Sequence, residues 1–109
     1  MKNTIIIILV AIISLTAGVL WRAQNQYDFS TLDGSSYQFE QLEGKWVVIN
    51  YFAEWCAPCL REIPELNKFQ AYALANENAR LFAISYDSKT EQELIALRVK
   101  YDMQFPLIT

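Results

Sequence analysis

The chain holds two cysteines in 109 residues, and they stand three positions apart in Trp55-Cys56-Ala57-Pro58-Cys59. Two thiols at that spacing can close a small disulfide ring, so reversible oxidation and reduction is the simplest chemistry open to them. Two other readings compete. A zinc site usually takes four ligands, and with no histidine in the chain the two cysteines would have to borrow carboxylates or a second copy. A purely structural disulfide across so short a loop removes little chain entropy and stabilises little. The redox reading asks for the fewest additional groups.

Redox exchange works best when the two thiols are unequal. At the start of a helix, Cys56 meets backbone N–H groups without intrahelical partners and the positive helix end, which favour its thiolate by about 0.3–1 kcal/mol and at most about 2. Cys59, one turn further in, is then the shielded thiol. No imidazolium is available to acidify Cys56 further, and Glu54 and Glu62 flank the motif with charge that opposes ionisation. The expectation is a thiol moderately acidified toward neutrality, suited to reduction or exchange rather than to strong oxidation.

The elements around the pair place it where a strand hands over to a helix. Residues 46–52 (WVVINYF) carry the nearly continuous apolar run expected of a strand buried on both faces at the centre of a sheet. Residues 60–74 repeat Leu60, Ile63, Leu66, Phe69 and Ala73 at mostly helical spacing, with Pro64 predicting a bend in the second turn. Residues 76–78 end that helix, and residues 80–86 (RLFAISY) read as a second buried strand. Strand, helix, strand implies a parallel pair with a right-handed crossover.

Upstream, Asp33-Gly34 between residues 29–32 and 36–39 is a hairpin signal, followed by a polar turn over 41–45. Downstream, Thr90 and Glu93 form a capping-box pattern. Leu94, Leu97 and Tyr101, with Ile95 and Val99 beside them, supply the apolar face of a second helix. Phe105-Pro106-Leu107-Ile108 then brings the chain to Thr109.

The composition is 53% hydrophobic, and a share of that lies outside any core. Ile5 to Trp21 carries no charge and would run about 25 Å as a helix, near the lower limit for crossing a bilayer. The run is apolar on all sides, unlike an amphipathic core helix. Thr16-Ala17-Gly18 offers small residues of the kind signal peptidase accepts, but an uncleaved anchor is the expectation. No cysteine lies near enough for lipid attachment. Lys2 and the amino terminus favour a cytoplasmic start, a bias that Arg22 weakens.

The division that follows is an anchor over 1–22, a tether over 23–26 and one domain over 27–109. That domain would face outward, into an oxidising compartment. The net charge of −3 and isoelectric point near 4.8 exclude an electrostatic nucleic-acid surface.

The run EGKWVVINYFAEWCAPCLREIPEL resembles the thioredoxin superfamily, through Ala53-Glu54-Trp55-Cys56, Pro58-Cys59 and Pro64. The apolar start, the hairpin before Gly44-Lys45, Glu62-Ile63-Pro64, FAISYDS and KYDMQFPLI narrow the resemblance to membrane-anchored, thioredoxin-like disulfide reductases. Many of these serve cytochrome c maturation, and they share the redoxin pattern with peroxiredoxins. The likeness covers residues 27–108.

The resemblance implies an α/β fold with a thioredoxin-like βαβ core and an N-terminal hairpin, behind one transmembrane helix. It makes Cys56 the attacking thiol and Cys59 the resolving thiol, with Trp55 and Pro58 shaping access and redox potential. Glu62 matches an acidic position that sits beneath the active site in some of these reductases, although a solvated helix position would hold the same residue. For Trp55, plain core packing is the alternative, and Pro64 is expected only to bend the helix.

A peroxidase would carry a threonine two or three positions before its cysteine, where Ala53 and Glu54 stand here. The implied protein is a single-pass component of the cytoplasmic membrane facing the periplasm or exterior. It needs no cofactor, takes a disulfide-bearing protein as substrate and is re-reduced by a membrane thiol-disulfide electron carrier. Family folds continue to a cis-proline facing the cysteines, a hairpin and a final helix. KYDMQFPLI resembles the segment before that proline, so the chain reads as truncated, with an open apolar edge on the strand at 46–52. A non-catalytic fragment is the rival reading.

Overall fold

In the computed structural model, which describes residues 1–109, the parallel pair is formed by β3 (Trp46–Phe52) and β4 (Ala79–Ser85). The hairpin strands β1 (Phe29–Ser30) and β2 (Ser36–Tyr37) precede them in the chain. The β3–β4 register runs from Trp46 opposite Ala79 to Phe52 opposite Ser85. The crossover is made by two helices, α2 (Ala57–Arg61) and α3 (Ile63–Asn76), where the sequence predicts a single bent one. The interruption falls at Glu62, two residues before Pro64. Proline has no N–H to give the Leu60 carbonyl and crowds it, so α2 stops and α3 begins with Pro64 in its first turn.

Contrary to expectation, β3 is not the centre of the sheet. On the far side of β4, the Ala83 N–H donates to the Pro106 carbonyl at 2.9 Å, and the Ile108 N–H donates to the Ala83 carbonyl at 2.9 Å. Ile108 in turn bridges Thr31 antiparallel, which joins the hairpin to the sheet. The middle strand is therefore β4, whose Leu81, Phe82 and Ala83 are buried. On β3, Val47, Val48, Ile49 and Tyr51 remain 38–49% exposed, because β3 has a neighbour on one edge only and α3 packs over β4. The open apolar edge expected of this strand is present; burial on both its faces is not.

One face of the sheet meets Ile63 of α3, Leu94 and Leu97 of α4 (Glu91–Lys100), and the buried Met103, Phe105 and Leu107. On the other face, Phe82 takes the edge-on rings of Phe29 and Tyr37 at 5.1 and 5.0 Å. The hairpin pairs Phe29 with Tyr37 and Ser30 with Ser36, and its turn uses Gly34 at φ +84°. Asp33 accepts hydrogen bonds from the Thr31 hydroxyl and the Ser35 N–H, and its carboxyl is held below the ordinary range chiefly by the Thr31 bond. The polar turn expected after the hairpin is partly a 3-10 helix, Phe39–Leu42, whose Leu42 is buried.

The capping box of α4 forms as expected. The Thr90 hydroxyl accepts from the Glu93 N–H at 3.3 Å, and the Glu93 carboxylate accepts from the Thr90 N–H at 2.8 Å, which lowers the Glu93 pKa. Only part of the apolar face expected on α4 is buried. Leu94 and Leu97 reach the core, whereas Ile95 and Val99 face solvent, Val99 at 77% exposure. Helix α1 (Lys2–Gln24) has no buried residue and is long and apolar enough to cross a membrane. It continues through Ala23 and Gln24, the first half of the stretch read as a tether.

These differences in burial order the expected mutational costs. Leu107→Ala in the full chain in detergent should lose about 2–5 kcal/mol of stability in urea. Val99→Ala should change it by no more than about 0.5 kcal/mol. Asp33 and Glu93 have lowered pKa values when folded, so their contribution is present above the unfolded carboxylate pKa and is lost as pH falls through the folded one. Melting temperature should therefore hold level near neutrality and drop below the ordinary carboxylate range, with a shallower drop in Glu93→Gln.

Candidate active site

The end of β3 sets the position of the dithiol. Phe52 and Ala53 are 2% and 1% exposed, so the chain leaves the sheet from a fixed point. The Cys56 N–H then donates to the Ala53 carbonyl at 3.1 Å, closing a turn through Glu54 and Trp55. Cys56 is the N-cap of α2, and its sulfur accepts from the Cys59 N–H at 3.4 Å. The two cysteines are joined as a disulfide with Cα atoms 5.3 Å apart, as their spacing allows.

Both cysteines are half-buried, where the sequence predicts that only Cys56 meets solvent. The inequality lies in what stands behind them, because Cys59 packs against the hydrophobic core cluster. Pro58 is exposed in the first turn of α2, where its fixed φ suits helix initiation. With five residues, α2 has a short dipole, so the favourable field at Cys56 comes from local N–H groups rather than a long aligned helix.

Trp55 is 70% exposed and is not a core residue. Its indole N–H donates to Asp87 Oδ1 at 3.4 Å, and its ring lies 6.1 Å from that of Tyr86, which stands 5.4 Å from Tyr51. Glu62 is exposed at the junction of α2 and α3, the setting of a solvated residue. Glu54 departs from expectation. Its carboxylate is not free to oppose a thiolate, because Lys100 Nζ lies 3.1 Å from Oε1 and Lys89 Nζ lies 3.7 Å from Oε2. The Lys100 hydrogen bond, then the two positive charges, hold the Glu54 pKa below its ordinary value.

Tyr86, Asp87, Lys89 and Lys100 were not legible as site residues from local motifs. A topological signal could have found the first three, since ligands of open α/β sheets gather beyond the carboxyl ends of parallel strands. These residues directly follow β4 at the end of the sheet where β3 delivers the cysteines. In the reduced chain, limiting iodoacetamide at neutral pH should label Cys56 ahead of Cys59, as read by tandem mass spectrometry. Thiolate ultraviolet absorbance should titrate close to neutrality. Equal labelling, or a midpoint in the carboxylate range, would contradict the assignment of roles.

A family model described as the AhpC/TSA family matches residues 22–109. The chain is 34% identical over 90 residues to the thioredoxin-like protein YneN of Bacillus subtilis (strain 168), covering 78% of this chain and 51% of that one. It is also 34% identical over 76 residues to the thiol-disulfide oxidoreductase ResA of Oceanobacillus iheyensis, covering 70% of this chain and 38% of the relative. The chain thus spans about half or less of the length of these curated relatives. Among solved structures, MTB dsbF superposes with a TM-score of 0.60 at 25% identity, covering 80% of this chain and 63% of that one. With the βαβ unit, the strand-to-helix dithiol and a match over residues 22–109, the chain belongs to the AhpC/TSA family and has a thioredoxin-like fold.

Proposed function

We propose that the protein is a thiol-disulfide oxidoreductase that reduces protein disulfides through Cys56 and Cys59. One observation carries this reading. The two sulfurs are already paired at the start of α2, with Cys56 at the cap and Cys59 against the core. In the reduced form, the Cys56 thiolate attacks one sulfur of a substrate disulfide. A mixed disulfide forms and the first substrate thiolate leaves, taking up a proton. Cys59, deprotonated, then attacks the Cys56 sulfur, which releases the second substrate thiol and leaves the pair oxidised. Two electrons have passed to the substrate, and a membrane thiol-disulfide carrier returns two.

Trp55 and Pro58 flank the reacting sulfur on exposed positions and shape access to it, while Glu62 contributes negative charge at the far end of α2. Residues 1–22 serve as the anchor, 23–26 as the tether and 27–109 as the redox domain. The domain lies on the outer side of the cytoplasmic membrane. The membrane-spanning length of α1 supports the anchor, and the names of the matched relatives support the redox domain.

The exposed apolar residues of β3 favour a second reading, a non-catalytic chain that retains the motif. Insulin reduction by the full chain in detergent separates the two. Turnover that falls to the uncatalysed rate in Cys56→Ser supports the oxidoreductase. An inactive parent chain without cooperative unfolding supports the second reading, and Cys56-dependent consumption of hydrogen peroxide would replace both with a peroxidase.

A further inference from the structure

The turn that presents Cys56 is held from one direction. Trp55 donates to Asp87, and Glu54 accepts a hydrogen bond from Lys100 at the end of α4 and forms an ion pair with Lys89 in the loop between β4 and α4. The two lysines come from positions remote in sequence and meet on opposite oxygens of one carboxylate. Lys89 is the more enclosed, with 22% of its side chain exposed against 61% for Lys100. Glu54 itself lies two residues before Cys56, inside the turn that the Cys56 N–H closes on the Ala53 carbonyl at 3.1 Å.

We propose that Lys89 and Lys100 are positioning residues for Cys56, which cancel the charge of Glu54 and so set the acidity of the thiol. The inference rests on the oxidoreductase reading for its biological meaning, but the property it concerns can be read without any substrate. A carboxylate beside a thiol disfavours the thiolate, and a cation bound to that carboxylate removes most of the effect. Thiolate stability also bears on redox poise, since stabilising the reduced pair makes the disulfide the stronger oxidant.

Other charged groups lie nearby. Asp87 and Tyr86 border Trp55, Glu93 lies within the field of Lys89, Lys100 stands over the Tyr101 ring at 5.0 Å, and Arg61 and Glu62 close α2. All of these can be kept unchanged while the three residues of the clamp are varied.

The test uses the full chain in detergent with Cys59→Ser, so that Cys56 is the single thiol. Iodoacetamide alkylation is followed against pH in four versions: parent, Lys89→Met with Lys100→Met, Glu54→Gln, and all three substitutions together. The double lysine variant uncovers Glu54 and should alkylate about two- to threefold more slowly at neutral pH, with its profile displaced upward. Glu54→Gln leaves two uncompensated cations and should shift the profile downward, while the triple variant, one positive charge short of the parent, should lie between the parent and the double lysine variant. Added salt should shrink each displacement, since the pairs are partly exposed.

A clamp that only braces the turn would not reverse sign with the charge removed. Displacements in the same direction, or superimposable profiles, would overturn the proposal. If the double lysine variant fails to fold by circular dichroism, the Glu54→Gln profile still decides. Because alkylation needs no disulfide substrate, a chain inactive toward insulin could still show the clamp.

Discussion

The structure depends on the burial of Phe52 and Ala53 at the carboxyl end of β3. That strand is solvated along much of its length, yet its last residue and the one after it are almost completely enclosed. Phe52 belongs to the same cluster as Ile63, Leu81 and Leu94, so the end of β3 is fixed to α3, β4 and α4 at once. The turn to Cys56 begins from this anchored point. Its N-cap position, the short α2 and the contacts of Glu54 and Trp55 all follow from where the chain emerges.

Local patterns made most elements legible. The strand boundaries at Trp46 and Phe52, the parallel pairing, the hairpin about Asp33-Gly34 and the Thr90–Glu93 box follow from periodicity, turn chemistry and capping, which act over a few residues. The burial of β3 was not legible, because an apolar run records what a strand can bury and not which neighbours it has. Leu107 and Ile108, a short segment after a proline, take the place beside β4 that the apolar run had suggested for strands on both sides of β3. Ile95 and Val99 failed for a related reason: helical spacing defines a stripe, and here Leu94 and Leu97 are buried with Tyr101 packed beside them while Ile95 and Val99 stay exposed.

The exposed residues of β3 and the redox pair are two consequences of one arrangement. A parallel strand with an unpaired edge leaves N–H and C=O groups without partners along its length, and WVVINYF carries none of the charges or prolines that natural edges use against association. The end that carries the chemistry is protected by Phe52, while the beginning, at Trp46, is the most exposed part of the strand.

The electrostatics of the dithiol were also only half legible, and the two errors have opposite signs. Reading residues 60–74 as one helix overstated the dipole at Cys56, since the break at Glu62 leaves a helix of five residues ahead of it. Reading Glu54 as a free carboxylate overstated the opposing charge, since Lys89 and Lys100 hold both of its oxygens. A shorter dipole disfavours the thiolate, and a neutralised carboxylate favours it. Both corrections come from contacts made across the fold rather than from the flanking sequence. Spacing points to the pair, and the contacts that Lys89 and Lys100 make with Glu54 from the β4–α4 loop and α4 became visible only in the fold.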